Sequence, residues 1–380
     1  MKTDRDKKRR ARFWQWLYKT VSGILPKRSG YSCDVIGLEP PFLMISNHVT
    51  NDDPFYTGLA YRKAPLAFVA SEHIFRQGVL SKLLKRYFDP IPRPKADSGV
   101  GTVRAVLKRL REGDPVVLFA EGDCTWNGVS GEVFPATGKL AKAAGVPLVT
   151  YRLEGGYLTS PRWSKKKRRG RMRGRLVKVY SPEELKTMLP GEIDDAINRD
   201  IHYDTWAAQA EEPVPFRSKA PAEGIERALF VCPECGDTDC MASKGGSFFC
   251  TTCGAGWTLD EYGLLHGPKF LNPAEWDAWQ RTAIRDVRED GLFKADCTLT
   301  DFDAGTKKKT KVCLDLKSRR IRTGDGGEAG FSGITDMAMI KTDRLLFTDG
   351  AGYHELKSKR GILRPYLVAW QAYREGTEDR

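Results

Sequence analysis

The sequence predicts an α/β fold in its first half, with a mostly parallel sheet flanked by helices. The main observation is four short apolar runs, each bounded by Pro or Gly, at residues 42–45, 66–70, 116–119 and 148–151. Runs of this length and composition are typical of strands that are buried on both faces. Helical stretches separate the runs, and strands that alternate with helices favour parallel pairing.

Two helices are expected between these strands. The first carries an apolar stripe at helical spacing and should end at Gly113; the stripe consists of Val100, Val103, Val106, Leu107 and Leu110. The second is expected over residues 136–144 and should end at Gly145. A segment rich in Pro and charge at residues 211–228 then predicts a linker, which would close a first domain over residues 30–210.

The clustered cysteines of the second half predict a metal site. The pattern is C-x2-C-x14-C-x2-C, formed by Cys232, Cys235, Cys250 and Cys253. Four thiolates in two such pairs suit a closed tetrahedral zinc site, which is structural and not catalytic. The spacing therefore predicts a zinc ribbon over residues 229–262, in which Cys240 lies off the pattern as a spare thiol.

The rest of the chain, residues 263–380, predicts a helix followed by a β-rich module. Residues 268–290 have helical character, and short, partly alternating segments follow, separated by Gly and Asp turns. A last helix is expected over residues 363–374. This order of elements faintly resembles a PH-like domain, by analogy at the level of the fold alone. Its Lys-rich stretch at 307–311 suits either anionic headgroups or a solvated hairpin tip.

The net charge of +13 is concentrated in two patches. Residues 1–20 carry eight Lys and Arg against two Asp, and residues 162–175 carry nine Lys and Arg with no acid. Such patches suit anionic lipid or nucleic acid, although the second patch also fits a solvated loop. No apolar run is long enough to span a bilayer. Residues 1–29 therefore predict either a basic amphipathic segment on a membrane surface or a tail whose aromatic residues pack on the domain.

Polar residues follow two of the predicted strands directly. The first strand runs into Asn47 and His48, with Asp53 five residues further on, and the third strand runs into Glu121 and Gly122. In an open α/β sheet, ligands sit beyond the carboxyl ends of the strands. A carboxylate bonded to one imidazole nitrogen would let the other act as a base. Read alone, the pattern also fits a loop histidine and a helix-capping Asp53 before Pro54.

At this point the chain resembles the glycerolipid acyltransferases, of the 1-acylglycerol-3-phosphate and lysophospholipid acyltransferase type. The family's N-H-x4-D block matches Asn47, His48 and Asp53. Its second block supplies Arg93 within FDPIPRPK, and its third corresponds to Glu121, Gly122, Cys124 and Thr125. Its fourth, an apolar strand after Pro, corresponds to residues 146–149.

The resemblance implies acyl transfer from acyl-CoA or acyl carrier protein to the hydroxyl of a lysophospholipid. His48 would be the general base, Asp53 its orienting partner, and Arg93 the ligand of the acceptor phosphate. The remaining residues of the blocks, including Cys124 and Thr125, would line the acceptor pocket. The cysteine usage fits a reducing cytoplasm, and the resemblance places the protein peripherally on the inner face of a membrane.

Cys124 departs from the family pattern, which has Arg at this position. The loss removes a planar, bidentate phosphate ligand. We expect catalysis to be retained on an altered acceptor, because His48 and Asp53 are both present. The alternatives are a nucleic-acid-binding or protein-binding zinc-ribbon protein on a decayed acyltransferase domain, or an adaptor that senses lipid without turnover.

Overall fold

The computed structural model describes residues 4–71, 85–93, 99–284, 292–302, 304–324, 326–358 and 362–378. The chain divides into two compact units. The first unit comprises residues 1–161 and 168–216, and the second comprises residues 162–167 and 217–380. The α/β sheet lies in the first unit, and the cysteine cluster and the β-rich module lie in the second.

The first unit is built from seven strands and eight helices within the described residues. The strands are β1 (Ser32–Cys33), β2 (Leu43–Ser46), β3 (Ala67–Ser71), β4 (Ile91–Arg93), β5 (Val116–Phe119), β6 (Leu148–Glu154) and β7 (Arg173–Tyr180). The helices are α1 (Asp4–Ser29), α2 (Asp53–Ala60), α3 (Val100–Arg111), α4 (Thr137–Ala144), α5 (Gly156–Thr159), α6 (Pro182–Thr187), α7 (Pro190–Ile201) and α8 (Thr205–Glu211).

One sheet joins the seven strands in the order β1-β7-β6-β2-β5-β3-β4. Strand β2 lies at its centre and pairs in parallel with β5 and β6. Alternate residues of β2 enter different cores, because Met44 packs in one apolar cluster and Leu43 and Ile45 pack in the other. The sheet is therefore buried on both faces, which confirms the predicted α/β class. The pairing of β6 with β7 is antiparallel.

Helix α1 packs on the first unit through one side. Trp14 and Leu25 are buried in the same apolar cluster as Leu59 of α2. Arg10 is also buried, and its guanidinium lies 3.6 Å from the Asp89 carboxylate. This packing agrees with the alternative in which the aromatic residues pack on the domain, whereas membrane contact stays a prediction. Among the described helices, none has both the length and the apolar character needed to cross a membrane.

The second unit begins with a small antiparallel sheet around the cysteines. Its strands are β8 (Met241–Lys244), β9 (Ser247–Cys250), β10 (Gly256–Leu259) and β11 (Leu265–His266), in the order β11-β10-β9-β8. Helix α9 (Pro273–Ala283) follows, and Asn272 caps it by accepting hydrogen bonds from the backbone N–H groups of Ala274 and Glu275. The predicted helix over residues 268–290 began too early, because the observed helix starts at Pro273. Residues 285–290 of the prediction lie outside the described residues.

A second seven-stranded sheet and a helix complete this unit. The strands are β12 (Leu292–Asp301), β13 (Thr306–Asp315), β14 (Arg320–Thr323), β15 (Glu328–Gly330), β16 (Asp336–Ile340), β17 (Arg344–Asp349) and β18 (Gly352–Ser358). All pairings are antiparallel, in the order β15-β14-β13-β12-β18-β17-β16, and helix α10 (Arg364–Glu378) follows. The predicted β-rich module is confirmed.

The predicted linker at residues 211–228 is partly packed. Helix α8 extends to Glu211, and Phe216 is buried against the backbone around Gly155 and Gly170 of the first unit. Ala222 and Ile225 are buried as well, and a 3-10 turn covers Ile225–Arg227. The division between the two compact units falls after Phe216, within this stretch.

Candidate active site

His48 and Asp53 meet directly beyond the end of β2. The Nδ1 atom of His48 lies 2.7 Å from Oδ2 of Asp53. Asp53 is fully buried, whereas the side chain of His48 is 21% exposed. Because Nδ1 is bonded to the carboxylate, the proton is held there and the lone pair of Nε2 is left for a substrate. A turn between strand and helix thus brings together two residues five positions apart.

The Asp53 carboxylate organises the turn that carries the imidazole. It accepts hydrogen bonds from the backbone N–H groups of Val49 and Thr50, at 2.7 and 3.0 Å, and from the Thr50 hydroxyl at 2.8 Å. The alternative in which Asp53 serves only as the N-cap of α2 was wrong, because Asp52 occupies the N-cap position and Asp53 is the first helical residue. Thr50 is a contributor that the sequence reasoning missed, although its place inside the motif was a usable signal.

Glu121 connects the end of β5 to the same turn. Its Oε1 atom accepts a hydrogen bond from the backbone N–H of His48 at 2.8 Å, and its Oε2 atom accepts one from Gly131 N–H at 2.7 Å. Burial raises the pKa of Glu121 to about 7. Its side chain therefore fixes the position of the histidine backbone, and a carboxyl group that titrates near neutrality lies beside the site.

Arg93 and Gly122 lie together beside Glu121. The Arg93 guanidinium sits over the ring of Phe134 at 4.0 Å from its centroid. Gly122 has φ of 77°, and a Cβ there would come within 2.2 Å of Phe134 and 3.3 Å of Arg93. Glycine is thus required for the backbone to pass so close to both side chains. Phe134 was missed by the sequence reasoning, since nothing local marks it.

Cys124 lies against the imidazole. Its sulfur is 3.4 Å from both Nδ1 and Nε2 of His48, and the residue is 4% exposed. Equal distances to the two nitrogens mean that the sulfur is beside the ring and not in line with either lone pair. The ring of Phe119 also stacks on His48, with centroids 4.6 Å apart.

Two of the predicted pocket residues have their polar groups engaged in the protein itself. The Asn47 amide donates to the Leu153 carbonyl at 2.9 Å and accepts from Leu153 N–H at 2.7 Å, which ties β2 to β6. The Thr125 hydroxyl donates to the Val129 carbonyl at 2.8 Å and accepts from Gly128 N–H. These bonds position the loops, and a contact of either residue with substrate stays a prediction.

The charge state of His48 follows from its neighbours. Burial by itself lowers the pKa of His48, but the Cys124 sulfur and the Asp53 carboxylate raise it more. The pKa of His48 therefore lies well above its ordinary value. The neutral imidazole that a base requires forms at a correspondingly higher pH.

An apolar groove begins next to this turn. It lies between α1 and α2, is open to solvent and has a cavity volume of about 20 Å³. The nine lining residues are Trp14, Leu17, Tyr18, Val21, Pro54, Phe55, Gly58, Leu59 and Phe88. Pro54 and Phe55 directly follow Asp53, so the groove starts within one helical turn of the His48–Asp53 pair.

The four predicted metal ligands of the second unit converge. The sulfur atoms of Cys232, Cys235, Cys250 and Cys253 all lie within 4.8 Å of one another. The Cys232–Cys253 and Cys235–Cys250 pairs are 3.7 and 3.8 Å apart. A zinc ion with bonds of about 2.3 Å to four thiolates gives tetrahedral edges of about 3.8 Å, so the donor set fits this metal. Cys240 is buried outside the group, as predicted.

Comparison with known proteins supports a family for part of the chain. Residues 21–154 match the family model described as Acyltransferase, which confirms the predicted family over this range. No curated protein matches the chain. Among solved structures, the chain is similar to the 1-acyl-sn-glycerophosphate acyltransferase PlsC from Thermotoga maritima, at 18% identity over 52% of this chain and 82% of that one, with a TM-score of 0.43. At that TM-score, the similarity carries no conclusion about the site.

Proposed function

Because residues 21–154 carry an acyltransferase domain, we propose that the protein transfers a fatty acyl group to the hydroxyl of a lysophospholipid-type acceptor, such as 1-acylglycerol-3-phosphate. The acyl donor is a thioester, on coenzyme A or acyl carrier protein. The observation that carries the proposal is the 2.7 Å contact between His48 and the buried Asp53. An intact pair of this kind argues against a decayed site.

The geometry supports a proton-transfer role for His48. Neutral Nε2 takes the proton of the acceptor hydroxyl as its oxygen attacks the thioester carbonyl, and the proton then passes to the leaving thiolate. Asp53 holds the imidazole in the required tautomer and stabilises the imidazolium that forms. Glu121 holds the backbone of His48 in place, so that the ring stays oriented during both transfers.

Arg93 is the proposed ligand of the acceptor's phosphate. Its guanidinium lies over Phe134 and near Gly122, beside Glu121, which is bonded to the backbone of His48. Cys124, Thr125 and Gly122 are proposed to line the acceptor pocket, with Asn47 holding its floor by joining β2 to β6. The acyl chain is proposed to enter the apolar groove between α1 and α2.

We propose that the domain works peripherally at the cytoplasmic face of a membrane. A lysophospholipid acceptor would reside there, and exposed Trp16 and Ile24 on α1 supply apolar groups for the interface. The exposed basic residues at 1–20 and 162–175, which leave out the buried Arg10 and Arg168, suit anionic headgroups. The four thiolates of the second unit are proposed to hold one structural zinc ion.

The first test measures acyl transfer from labelled acyl-CoA, and separately from acyl carrier protein, to a panel of lysolipids and other lipid alcohols. We expect His48→Ala to lower the rate by about 10²–10⁴-fold, because the base is lost. His202→Ala removes an exposed histidine of the same unit and should leave the rate unchanged. If His48→Ala transferred the acyl group at the rate of the unchanged protein, the proposal would be wrong.

A further inference from the structure

The contact between Cys124 and His48 adds a thiol to the His48–Asp53 pair, so that three chemically reactive side chains lie together. The thiol is 4% exposed and lies 3.4 Å from Nε2 of His48, whose Nδ1 is bonded to the buried Asp53. A nucleophile, a base and a carboxylate that orients the base are the parts of a covalent acyl-transfer site. Proton transfer to His48 alone requires no thiol in this position.

We propose that Cys124 is a nucleophile that carries the acyl group as a thioester between donor and acceptor. This inference rests on the proposed acyl transfer and deepens it. It changes a direct transfer into a two-step, double-displacement reaction at the same histidine.

The first step exchanges one thioester for another. The Cys124 thiol gives its proton to Nε2 of His48, and its sulfur attacks the donor carbonyl. The bond between that carbonyl and the donor sulfur then breaks, and the leaving thiolate takes the proton from His48. No oxidant or reductant is needed, and since a thioester replaces a thioester, the step is close to balanced in free energy.

The second step follows the same order of proton transfer and attack, with the acceptor hydroxyl as the nucleophile. The acceptor hydroxyl gives its proton to His48, and its oxygen attacks the acyl group on Cys124 to form the ester. The Cys124 sulfur leaves and recovers the proton from His48. One base therefore serves both halves of the reaction, and the free thiol is regenerated.

The surroundings of the sulfur suit this role. The sulfur lies beside the imidazole and not in line with Nε2, so proton transfer needs a rotation about the Cα–Cβ bond of Cys124; catalytic hydrogen bonds often align only when substrate binds. The turn from 124 to 129 is held by the bond of Thr125 N–H to the His48 carbonyl at 3.0 Å. Nucleophile and base are thus joined through their backbones.

The test looks for the acyl-enzyme itself. The full-length protein is mixed with labelled acyl-CoA in the absence of an acceptor, and the label on the protein is measured by intact mass and by its release with neutral hydroxylamine. The unchanged protein should take up one acyl group per chain, and Cys124→Ala, which lacks any nucleophile at this position, should take up none. Cys33→Ala, which removes a half-buried thiol elsewhere in the first unit, is the matched control and should label normally.

Exchange and turnover give independent readouts. Labelled free coenzyme A should enter acyl-CoA without acceptor in the unchanged protein and in Cys33→Ala, but not in Cys124→Ala. Acyl transfer should fall by about 100-fold or more in Cys124→Ala, as expected when a nucleophile is removed. Melting temperatures near that of the unchanged protein would show that the variants fold.

Three outcomes separate this inference from the proposed function. Transfer to the acceptor by Cys124→Ala within a few-fold of the unchanged rate would overturn the inference and leave acyl transfer standing, as would the absence of both label and exchange in a protein that forms product. Label and exchange without product on any acceptor would support the inference and overturn the proposed acceptor class.

Discussion

The four-thiol site and the His48 site are assembled from the chain in opposite ways. All four thiolates come from residues 232–253, and each pair sits in its own local turn. The His48 site instead joins the carboxyl ends of β2, β4 and β5, which supply His48, Arg93 and Glu121 from widely separated parts of the sequence. The first site is fixed by short-range geometry and the second by the order of strands in a sheet.

Because the two sites are assembled differently, we expect metal removal or substitution to affect stability at the first site and the reaction at the second. A local metal site contributes most of the stability of a small module, because thiolates without a metal cannot hold the turns together. A site at the ends of strands rests on a sheet that has its own core on both faces. Substitution of a reacting group there should change the chemistry much more than the fold.

Removal of the metal should have the largest effect on stability. Structural zinc contributes an apparent free energy of about 10–16 kcal/mol to small four-ligand modules. We expect a strong chelator, or Cys250→Ser, to release one zinc ion per chain and to abolish protection from hydrogen exchange in β8, β9 and β10. Cys240→Ser replaces a cysteine outside the ligand set and should keep the metal.

The same measurement gives an internal reference. Protection in β2 and β6, which form the centre of the α/β sheet, should persist when the metal is removed from the isolated full chain. A chain that contains no zinc, or in which β8–β10 stay protected after chelation, would contradict the assignment of a structural metal.

Asp53→Asn should have the next largest effect, now on the reaction. The amide cannot stabilise the imidazolium, and its NH2 group would face donors at Val49 and Thr50 that the carboxylate now satisfies. We expect acyl transfer to fall by about 10²–10⁴-fold and the free energy of unfolding to fall by about 1–3 kcal/mol. Asp52→Asn alters the neighbouring carboxylate and should retain most of the rate.

A purely structural Asp53 would give a different result. If the carboxylate only held the turn, the rate of Asp53→Asn should recover when a stabilising osmolyte restores the fold. A rate that stays low in a protein with native stability assigns the effect to the imidazole.

The same two sites show what could be read from the sequence. The convergence of the four cysteines was predictable, because their spacing within one short segment limits where the side chains can go. The His48–Asp53 pair was predicted from the resemblance to the acyltransferase family, since its spacing alone also fits a loop histidine beside a helix cap. The strand β5 was predicted to the residue, since a short apolar run after Pro115 has few alternatives. Local pattern also suggested a cap at Asp53, and this was wrong by one position.

Features that depend on distant contacts were not predictable. The stacking of Arg93 on Phe134 and the bond of Glu121 to Gly131 join residues that approach only after the sheet has formed. The sequence also could not predict which side of α1 is buried, because Trp14 and Trp16 are the same residue type but pack differently. Trp14 lies in the core, whereas Trp16 is 60% exposed.

The pH dependence of the reaction should report the neighbours of His48. The base must be neutral, and its pKa is raised above 6.5 by the Cys124 sulfur and Asp53. We expect kcat/KM to rise with pH through a midpoint above 6.5, and to fall about tenfold per pH unit below it. Because burial also raises the pKa of Glu121 to about 7, the profile is measured in Glu121→Gln as well, where this carboxyl group no longer titrates. A midpoint at or below 6.5 in that variant would contradict the electrostatics of the site.

The smallest expected effect concerns the groove between α1 and α2. Val21 lines it, so Val21→Trp should fill space that a long acyl chain would use. Each methylene group that loses its apolar contact costs about 0.8 kcal/mol, so exclusion of two such groups lowers kcat/KM by roughly tenfold for palmitoyl donors, and octanoyl donors, which need less of the groove, should be affected less. Thr20→Trp places the same side chain on an exposed position of the same helix and is the matched control. If both variants use the two donors in the same ratio, the acyl chain binds elsewhere. Helix α1 would then serve to cover the core around Trp14. The His48 site would remain as proposed, but without the groove as its acyl-binding part.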